Sequence, residues 1–395
     1  MKKALLMTWY NSNNYGTLLQ SYATKEIFKQ RYNVDCYFVN YVPKGKRDLV
    51  SIIKKLLNIK SWKRQFNSRY DLYMFKKYGI DKNIQKRKNW VNDFISEYKY
   101  ALDNKQIKTE ADFNELSEGF DLYISGSDQI WNPRFLNEHF LLNFVPDDKN
   151  CVSFASSLSA EKIPEKQVNV YKKHLAKYNG ITIREKDCET QIKNILGGGL
   201  AKIGTILDPT LLYGVENWKS LEIPNLKKDY VLLYMLGKSS AARTVAKEVA
   251  KQNNLNLYTF PFQAARFFKE DTIFSEEEQL WEVSPFEWIS LIDNANLIIT
   301  DSFHMVVFSL MFHKNFYVVE KDSKERAQNN RILNLLEMVG LKNRFILNDI
   351  TLEDIKVNKQ CIDWNIVDEI LDKKRKESFD LVDEIMKDIF PNLKV

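Results

Sequence analysis

The segment that begins at residue 297 combines residue types that can bind and protonate an anion. Its apolar run, residues 297–300, predicts a short buried strand, and the pair Asp301-Ser302 predicts the turn and N-cap of a helix. His304 falls in the first turn of that helix, where unpaired backbone N–H groups and the helix dipole favour an anion. These features indicate a phosphate or carboxylate site. The alternative is that Ser302 only caps the helix and that His304 packs against a neighbour.

A second polar cluster, residues 126–132, has the side chains that sugar recognition requires. It follows a predicted strand and contains Ser127, Asp128, Gln129 and Trp131. An indole offers an apolar face to a sugar ring, and carboxylate and amide groups pair with its hydroxyls. Asp128 is also a candidate general base toward a hydroxyl. The alternative is a helix-capping aspartate beside a tryptophan of the core.

The first predicted strand is followed by a polar loop, residues 11–16, which opens a helix. Gly16 permits close approach of another group, and amide side chains such as that of Asn14, next to Tyr15, suit an anion or a hydroxyl-rich ligand. The loop lacks the GxGxxG spacing of a dinucleotide site and the Lys-Ser/Thr of a P-loop. A well-capped turn explains it equally well.

Two arginines are candidates for bidentate anion binding. Arg184 ends a predicted strand, so it faces the edge of the sheet where ligands of α/β proteins bind. Arg331, in the second half of the chain, is a similar candidate. For both, the alternative is an ordinary surface ion pair. We interpret the segment 208–210 as structural, because Pro209 restricts the turn that leads out of the first domain.

Composition restricts the class of protein. The 395 residues, of which 44% are hydrophobic, suffice for two domains of ordinary size. No uncharged apolar run approaches the length of a membrane span, and the apolar start of the chain predicts a first strand rather than a signal peptide. The four cysteines are far apart, without a CxxC pair or a nearby histidine. This spacing predicts no metal site and favours reduced thiols in a cytoplasmic protein.

The formal net charge of +6 is unevenly distributed. Fifteen Lys or Arg and three Asp between Lys44 and Lys88 give that segment +12, which leaves −6 for the rest of the chain. Apolar residues at helical spacing within it predict a basic amphipathic helix. Such a helix can lie on an anionic membrane surface, bind a polyanionic substrate, or be an ordinary surface helix. No nucleic-acid-binding motif accompanies the charge, so we do not expect nucleic acid as a partner.

Apolar runs alternate with helical patterns along the chain. This alternation predicts α/β domains with parallel sheets and sites at the carboxyl ends of the strands. The polar stretch 213–229 is the best boundary between two domains. We therefore predict a first domain at 1–218 with a basic helical segment at about 44–100, a second domain at 226–350, and a C-terminal helix at 363–390 that packs back on the first domain. The nine predicted strands are Lys3–Trp9, Cys36–Tyr41, Leu122–Ser125, Cys151–Phe154, Gly180–Arg184, Tyr230–Met235, Leu257–Phe260, Leu297–Thr300 and Asn315–Val319.

Taken in order, these motifs resemble those of the polysaccharide pyruvyl transferases. These bacterial enzymes place a pyruvate ketal on sugars of capsules, exopolysaccharides or cell-wall polymers. Several short motifs in one order are far more specific than any one of them. The matching segments are Asn14–Gln20, Tyr22-Ala23, Phe120-Asp121, Gly126–Asn132, Phe154–Ser157, Arg184-Glu185, Leu207–Thr210, Asn294-Ala295, Thr300–His304, Arg331-Ile332, Leu335-Leu336 and Gly340-Leu341.

The resemblance implies two Rossmann-like domains that face each other across a cleft, as in the GT-B glycosyltransferases. It implies phosphoenolpyruvate as the donor substrate, a glycan as the acceptor, and no separate cofactor. We expect the acceptor on the first domain and the donor on the second. The residues then expected in the site are His304 and Asp128 for catalysis, Asp301, Ser302, Phe303, Arg184 and Arg331 for the donor, and Asn14, Tyr15, Gly16, Ser127, Gln129 and Trp131 for the acceptor.

The expected function is transfer of a pyruvyl group to a sugar of a bacterial surface polysaccharide or of its lipid-linked precursor. The reaction is expected in the cytoplasm, with peripheral contact at the inner face of the membrane as an option left open by the basic segment. Two other functions stay open: a GT-B sugar-nucleotide glycosyltransferase and an inactive glycan-binding relative. The chain departs from the family pattern at Met305 and Ser159, where glycine is usual, and at 328–330, where a Ser-Arg is usual.

Overall fold

The computed structural model describes residues 1–10, 14–41, 69–97, 106–197, 201–224, 227–263, 266–321, 326–357 and 361–393. Several predictions fall partly outside the described residues. They concern residues 11–13 of the polar loop, 42–68 and 98–105 of the basic segment and its flank, and 225–226 of the predicted boundary.

The first domain is built on a six-stranded parallel sheet in the order β2-β1-β3-β4-β5-β6. Its central strands are buried over their whole length, as expected for apolar runs covered on both faces. All neighbouring strands are parallel, so the carboxyl ends of the six strands lie along one edge of the sheet. The strands are β1 (Lys2–Met7), β2 (Val34–Phe38), β3 (Leu122–Ser125), β4 (Cys151–Ser156), β5 (Gly180–Ile183) and β6 (Lys202–Thr205).

The second domain has a five-stranded parallel sheet in the order β11-β10-β9-β7-β8. Apolar and β-branched runs again form the fully buried strands in the middle of the sheet. The strands are β7 (Tyr230–Tyr234), β8 (Asn256–Thr259), β9 (Leu297–Thr300), β10 (Phe316–Val319) and β11 (Phe345–Ile346).

Helices connect the strands in both domains. The α-helices are Tyr15–Tyr32, 69–77, Asp81–Glu97, Glu110–Leu116, Glu165–Leu175, Lys186–Leu196, Pro209–Tyr213, Val215–Lys219, Ser240–Gln252, Pro285–Asp293, Phe303–Met311, Arg326–Met338, Leu352–Val357 and Trp364–Ile389. Short 3₁₀ turns lie at Gln129–Trp131, Glu138–Leu141, Lys269–Ile273, Glu276–Glu278 and Lys342–Arg344.

A buried aromatic cluster joins the two domains. Tyr15 at the start of its helix stacks on Trp288 of the second domain, with ring centroids 5.6 Å apart. Tyr22, two turns later, packs against Phe286 at 5.5 Å. Because these rings belong to one core that extends through both domains, they hold the two domains in a defined relative position.

The helix Trp364–Ile389 begins on the second domain and ends on the first. Trp364 stacks on His313, with centroids 4.9 Å apart. Further along, the Ser378 hydroxyl accepts a hydrogen bond from the Leu207 amide, and Asp383 pairs with Arg31 at 2.6 Å. No helix within the described ranges is both long enough and apolar enough to span a membrane.

Candidate functional site

A cavity of about 560 Å³ opens between the domains at the carboxyl ends of both sheets. From the first domain it is lined by residues that follow β1, β2 and β3, and from the second by residues that follow β7, β9 and β10. Ligands of open α/β sheets bind at this edge, because loops and helix N-termini converge there. Its lining residues are Thr8, Trp9, Tyr10, Asn14, Thr17, Val39, Asn40, Tyr41, Asp128, Gln129, Phe140, Leu236, Ser302, Phe303, His304, Lys321, Gln328 and Arg331.

His304 lies in the first turn of the helix Phe303–Met311, and only 6% of the residue is exposed. Its imidazole packs directly on the backbone of Gly16, so closely that a Cβ at position 16 would lie 2.2 Å from Nδ1. The other ring nitrogen, Nε2, is buried without a hydrogen-bond partner among the described residues, and other atoms of His304 line the cavity. Gly16 therefore acts as a backing surface for the imidazole, not as a contact for a sugar.

Asp208 of the first domain approaches the same imidazole, with 3.7 Å between its Oδ2 and Nε2 of His304. This carboxylate also accepts hydrogen bonds from Arg184 and from the backbone and hydroxyl of Thr210. Burial opposes its charge, but Arg184, His304 and Thr210 hold the pKa of Asp208 far below its usual range. Asp208 is thus a permanent negative charge beside the His304 imidazole.

The ring of Phe303 lies between two guanidinium groups, one from each domain. The Cζ atom of Arg184 is 5.3 Å from the ring centroid and that of Arg331 is 5.5 Å from it. Nε and Nη2 of Arg184 and Nε of Arg331 are buried without hydrogen-bond partners among the described residues. Buried donors of this kind are costly unless a ligand satisfies them, so their position indicates an anion site.

The two arginines differ in how their charge is balanced. Burial opposes the charge of Arg184, but Asp208, Glu185 and Asp128 outweigh it and raise the pKa of Arg184. Burial, and next the charge of Arg184, lower the pKa of Arg331. Of these two arginines, Arg331 is therefore the one whose charge is less well balanced by neighbouring carboxylates. A second cavity, of about 680 Å³, adjoins the first and shares Phe303 and Arg331 with it.

Asp128 has a backbone conformation that favours glycine, with φ of 71° and ψ of −174°. Its carboxylate accepts hydrogen bonds from the Thr17 hydroxyl at 2.9 Å and the Gln129 amide at 2.8 Å, and lies 3.7 Å from Nη2 of Arg184. These contacts hold Asp128 at the cavity wall together with Gln129 and with Asn14, which caps the helix Tyr15–Tyr32. Strain retained at a cavity wall is typical of functional sites.

The structure corrects four further expected site residues, because none of them lines the cavity. Tyr15 is fully buried and donates its hydroxyl to the Val283 carbonyl, and burial raises the pKa of Tyr15 to about 12. Ser127 is completely buried, so its side chain does not reach the cavity. Trp131 is also completely buried and donates to the Ser125 hydroxyl, so its ring face is not available to a sugar.

Asp301 is the fourth correction. It is 1% exposed, and its carboxylate accepts hydrogen bonds from the backbone N–H groups of Leu236 and Gly237, both at 2.7 Å. It therefore ties the loop after β7 to the end of β9 and does not face a donor. Ser302, by contrast, lines the cavity at the N-cap of its helix.

The structure brings to the site several residues that the sequence motifs do not predict to be functional. Asp208, interpreted above as structural, follows β6 at the ligand-binding edge, and β6 is itself a strand that the apolar pattern does not predict. Lys321 follows β10 at the same edge and donates to Gln328 at 2.9 Å. The indole at the cavity is that of Trp9, and Tyr41 provides a further ring.

The arrangement suits acid–base chemistry on an anionic substrate. His304, Asp128 and Arg331 line the first cavity, and Arg184 and Asp208 line the adjoining one, which shares Phe303 and Arg331 with it. In the part of the chain that the structure describes, no three His, Cys, Asp or Glu side chains are grouped as a metal ion would require. Charge on a substrate would then be met by the arginines and by the helix N-terminus.

Comparison with known proteins gives one family and one fold. The family model "Polysaccharide pyruvyl transferase" matches residues 14–323. None of the curated proteins compared with the chain matches it.

A UDP-GlcNAc 2-epimerase structure from Methanocaldococcus jannaschii is 12% identical with a TM-score of 0.56, over 92% of this chain and 93% of that one. A Listeria monocytogenes structure described as a UDP-N-acetylglucosamine 2-epimerase is 10% identical with a TM-score of 0.51, over 99% and 97%. At these identities the likeness shows the fold alone, which is GT-B-like with two parallel-sheet α/β domains.

Proposed function

This chain belongs to the polysaccharide pyruvyl transferase family, and we propose that it transfers a pyruvyl group from phosphoenolpyruvate to a saccharide, forming a ketal. The acceptor in this proposal is a sugar of a bacterial surface polymer such as a capsule, an exopolysaccharide or a cell-wall polymer, either free or as a lipid-linked precursor. The reaction is proposed for the cytoplasm, where phosphoenolpyruvate is made.

One observation carries the choice of donor. Arg184 and Arg331 approach the Phe303 ring from opposite domains and keep buried N–H groups that no described residue accepts. Phosphoenolpyruvate is small and carries a carboxylate and a phosphate, so it supplies an acceptor group for each arginine. Hydrogen bonds between a guanidinium and a carboxylate or phosphate are charge-assisted, and they are about twice as strong as those between neutral groups.

The proposed reaction proceeds through stages whose protons balance. A proton is added to C3 of phosphoenolpyruvate, which makes C2 electrophilic, and one sugar hydroxyl adds to C2 with loss of its proton. The bond from C2 to the phosphate oxygen then breaks, and the second hydroxyl adds to C2 with loss of its proton. One of the two released protons replaces the proton consumed at C3, and the other leaves with phosphate. No oxidant or further co-reactant is required.

The residues around the cavity fit these steps. His304, which lines the cavity, is the proposed acid that protonates C3, with the Asp208 carboxylate 3.7 Å from its Nε2. Asp128 is the proposed base that accepts a proton from the sugar. Trp9 and Tyr41 line the first-domain side of the cavity and are proposed to contact the sugar ring.

The contacts of Asp301 argue against a sugar-nucleotide donor. The loop after the first strand of the second domain is a natural place for backbone N–H groups to bind a diphosphate. Here the amides of Leu236 and Gly237 already donate to the Asp301 carboxylate, and a second anion would be repelled by it.

Isothermal calorimetry of the full chain with phosphoenolpyruvate tests the donor, with UDP-glucose as the comparison ligand. We expect binding of phosphoenolpyruvate and none of UDP-glucose. Phosphate release with a panel of glycosides, and NMR detection of the new ketal methyl group, then test transfer. Preference of the folded protein for UDP-glucose would overturn the proposal, and phosphoenolpyruvate binding without transfer to any saccharide would favour a relative that only binds.

A further inference from the structure

The basic insertion of the first domain carries an unusual cluster of exposed apolar side chains. Among the described residues, eleven large hydrophobic side chains are exposed, and five of these lie within the 21 residues from Tyr70 to Trp90. Single exposed apolar residues are normal, but a contiguous group marks a surface that binds something. The exposed fractions are 48% for Tyr70, 59% for Leu72, 62% for Tyr73, 45% for Tyr78 and 41% for Trp90.

The helix 69–77 arranges part of this cluster as a regular face. At 100° per residue, its six exposed side chains occupy a continuous arc of roughly 160°. Around the arc, three cations, two of them adjacent, are interspersed among three apolar side chains, so every ring or aliphatic group has a positive neighbour. We call this the aromatic–basic face; its members, in order around the arc, are Leu72, Lys76, Arg69, Tyr73, Lys77 and Tyr70.

The opposite side of this helix is packed on the second domain, which leaves the aromatic–basic face pointing outward. Phe75 is 4% exposed and lies against Phe262, with ring centroids 5.6 Å apart. The Asp71 carboxylate accepts a hydrogen bond from the Phe267 amide at 3.1 Å. The helix is therefore a supported element whose free face is set by packing, as a docking surface requires.

The next helix anchors the insertion further and extends its positive charge. Arg87 is 3% exposed and donates to the carbonyl oxygens of Pro261 at 2.7 Å and Leu280 at 2.8 Å. Lys82 and Lys88 are exposed on the same helix. These cations add to the positive charge of the insertion, whose residues 44–88 carry a net +12 in the sequence.

We propose that the aromatic–basic face binds the surface of an anionic phospholipid bilayer. Lysine and arginine attract the anionic headgroups, while tyrosine rings and a leucine enter the boundary between headgroups and acyl chains. Nucleic acid or an acidic glycan would also be attracted by the cations, but neither has an apolar layer to receive Leu72 beside Tyr73.

The position of the insertion relates this surface to the site. The insertion leaves the first domain at Tyr41 and has returned by Ile107, whose amide donates to the Asn40 carbonyl at 2.9 Å. Asn40 and Tyr41 line the cavity. Docking of the aromatic–basic face would place a bilayer against the insertion, which joins the first domain at residues that line the cavity. A lipid-linked saccharide in that bilayer would then lie close to the cavity. This last step rests on the proposed function; membrane binding itself does not.

Co-sedimentation of the full chain with vesicles tests the proposal without any turnover. The vesicles are phosphatidylcholine alone, or phosphatidylcholine with about one third phosphatidylglycerol to supply the surface charge. We expect retention by the anionic vesicles only, and loss of retention at about 0.5 M salt because the charges are exposed and screened. An acidic polysaccharide and a duplex DNA serve as soluble competitors.

Two pairs of variants locate the surface. Each basic residue near an anionic bilayer contributes about fivefold to binding, so Lys76→Glu/Lys77→Glu should weaken it by about 25-fold or more. Its matched control is Lys251→Glu/Lys373→Glu, which changes the charge equally at exposed positions outside the insertion. Leu72→Ser/Tyr73→Ser should weaken binding about tenfold or more, with Leu347→Ser, at a residue 62% exposed, as its control.

The outcomes separate the occupants. Equal losses in the variants and their controls, or no retention by anionic vesicles, would overturn the proposal. Capture of the protein by the polysaccharide or the DNA in preference to vesicles would assign the surface to that polymer instead. Circular dichroism of each variant checks that the fold is retained. Because turnover is not measured, failure here leaves the proposed transfer reaction unaffected.

Discussion

Nε2 of His304 lies 3.7 Å from Oδ2 of Asp208, so an imidazole of the second domain and a carboxylate of the first form a pair across the cleft. Each partner begins a helix at the carboxyl end of its own sheet, since Asp208 is the N-cap of Pro209–Tyr213 and His304 lies in the first turn of Phe303–Met311. The charge relationship at the site therefore exists only when the two domains are in contact.

His304→Ala is expected to lower turnover by about 10²–10⁴-fold, the usual contribution of a positioned general acid. Steady-state phosphate release with saturating donor and acceptor measures this loss. The control is His313→Ala, because the His313 side chain is 43% exposed and pairs with Asp368 away from the cavity. Turnover of His304→Ala close to that of His313→Ala would contradict the role given to His304.

Arg331→Met is expected to weaken phosphoenolpyruvate binding by about 10–100-fold, since a hydrogen bond to a charged group contributes about 1.5–3 kcal/mol. Its free energy of unfolding should be unchanged or higher, because burial and Arg184 both act against the charge of Arg331. Calorimetry and urea denaturation measure the two quantities.

Arg184→Met is the matched comparison and should behave differently. It would leave the buried Asp208 carboxylate without its main partner, which costs about 3–5 kcal/mol of stability. Equal effects of the two arginine substitutions on stability would show that their charges are balanced alike, contrary to the contacts described above.

Gly16→Ala is expected to displace the His304 imidazole, because the added Cβ would lie 2.2 Å from Nδ1. Turnover should fall toward the level of His304→Ala. The double variant Gly16→Ala/His304→Ala should lose no further activity, since both changes act on the same imidazole. Additive losses in this cycle would mean that Gly16 contributes to activity by another route.

Asp208→Asn tests the depressed pKa of Asp208 through stability. A carboxyl whose folded pKa lies below its unfolded value of about 3.9 contributes stability above that pH and loses it as the pH falls. The variant should therefore be less stable than the parent protein by a constant amount from about pH 5 to 8, and the difference should shrink below about pH 4. Urea denaturation across this range measures it; a difference that grows toward low pH would contradict the assignment.

The positive φ at Ser159 explains why glycine is usual at this place in the family. Its φ is 44°, in the region that glycine adopts without cost. Ser159 adopts the same conformation with strain, and its hydroxyl lies 2.8 Å from that of Ser157. Ser159 is not among the residues that line the cavity.

Sequence alone was sufficient for the architecture where patterns are local. The alternation of apolar runs with helices predicted the α/β class, and nine of the eleven described strands were predicted at or near their observed bounds. The two that were missed, Lys202–Thr205 and Phe345–Ile346, have no apolar run, since one is partly exposed and the other has two residues. Periodicity detects burial, so strands that are short or half exposed escape it.

The tertiary structure decided which side chains meet. Residue type and place at a strand end predict that His304, Asp128 and Arg184 lie at one edge of a sheet, because parallel strands bring their carboxyl ends together. Arg331 lies within the helix Arg326–Met338 instead. The catalytic and binding roles of these residues stay predictions. Which way a ring faces is not local: Trp131 turned into the core to satisfy its N–H group, and Trp9 lines the cavity instead. Pairings between distant segments, such as Asp208 with His304, depend on how two domains pack, and no spacing within either segment encodes that.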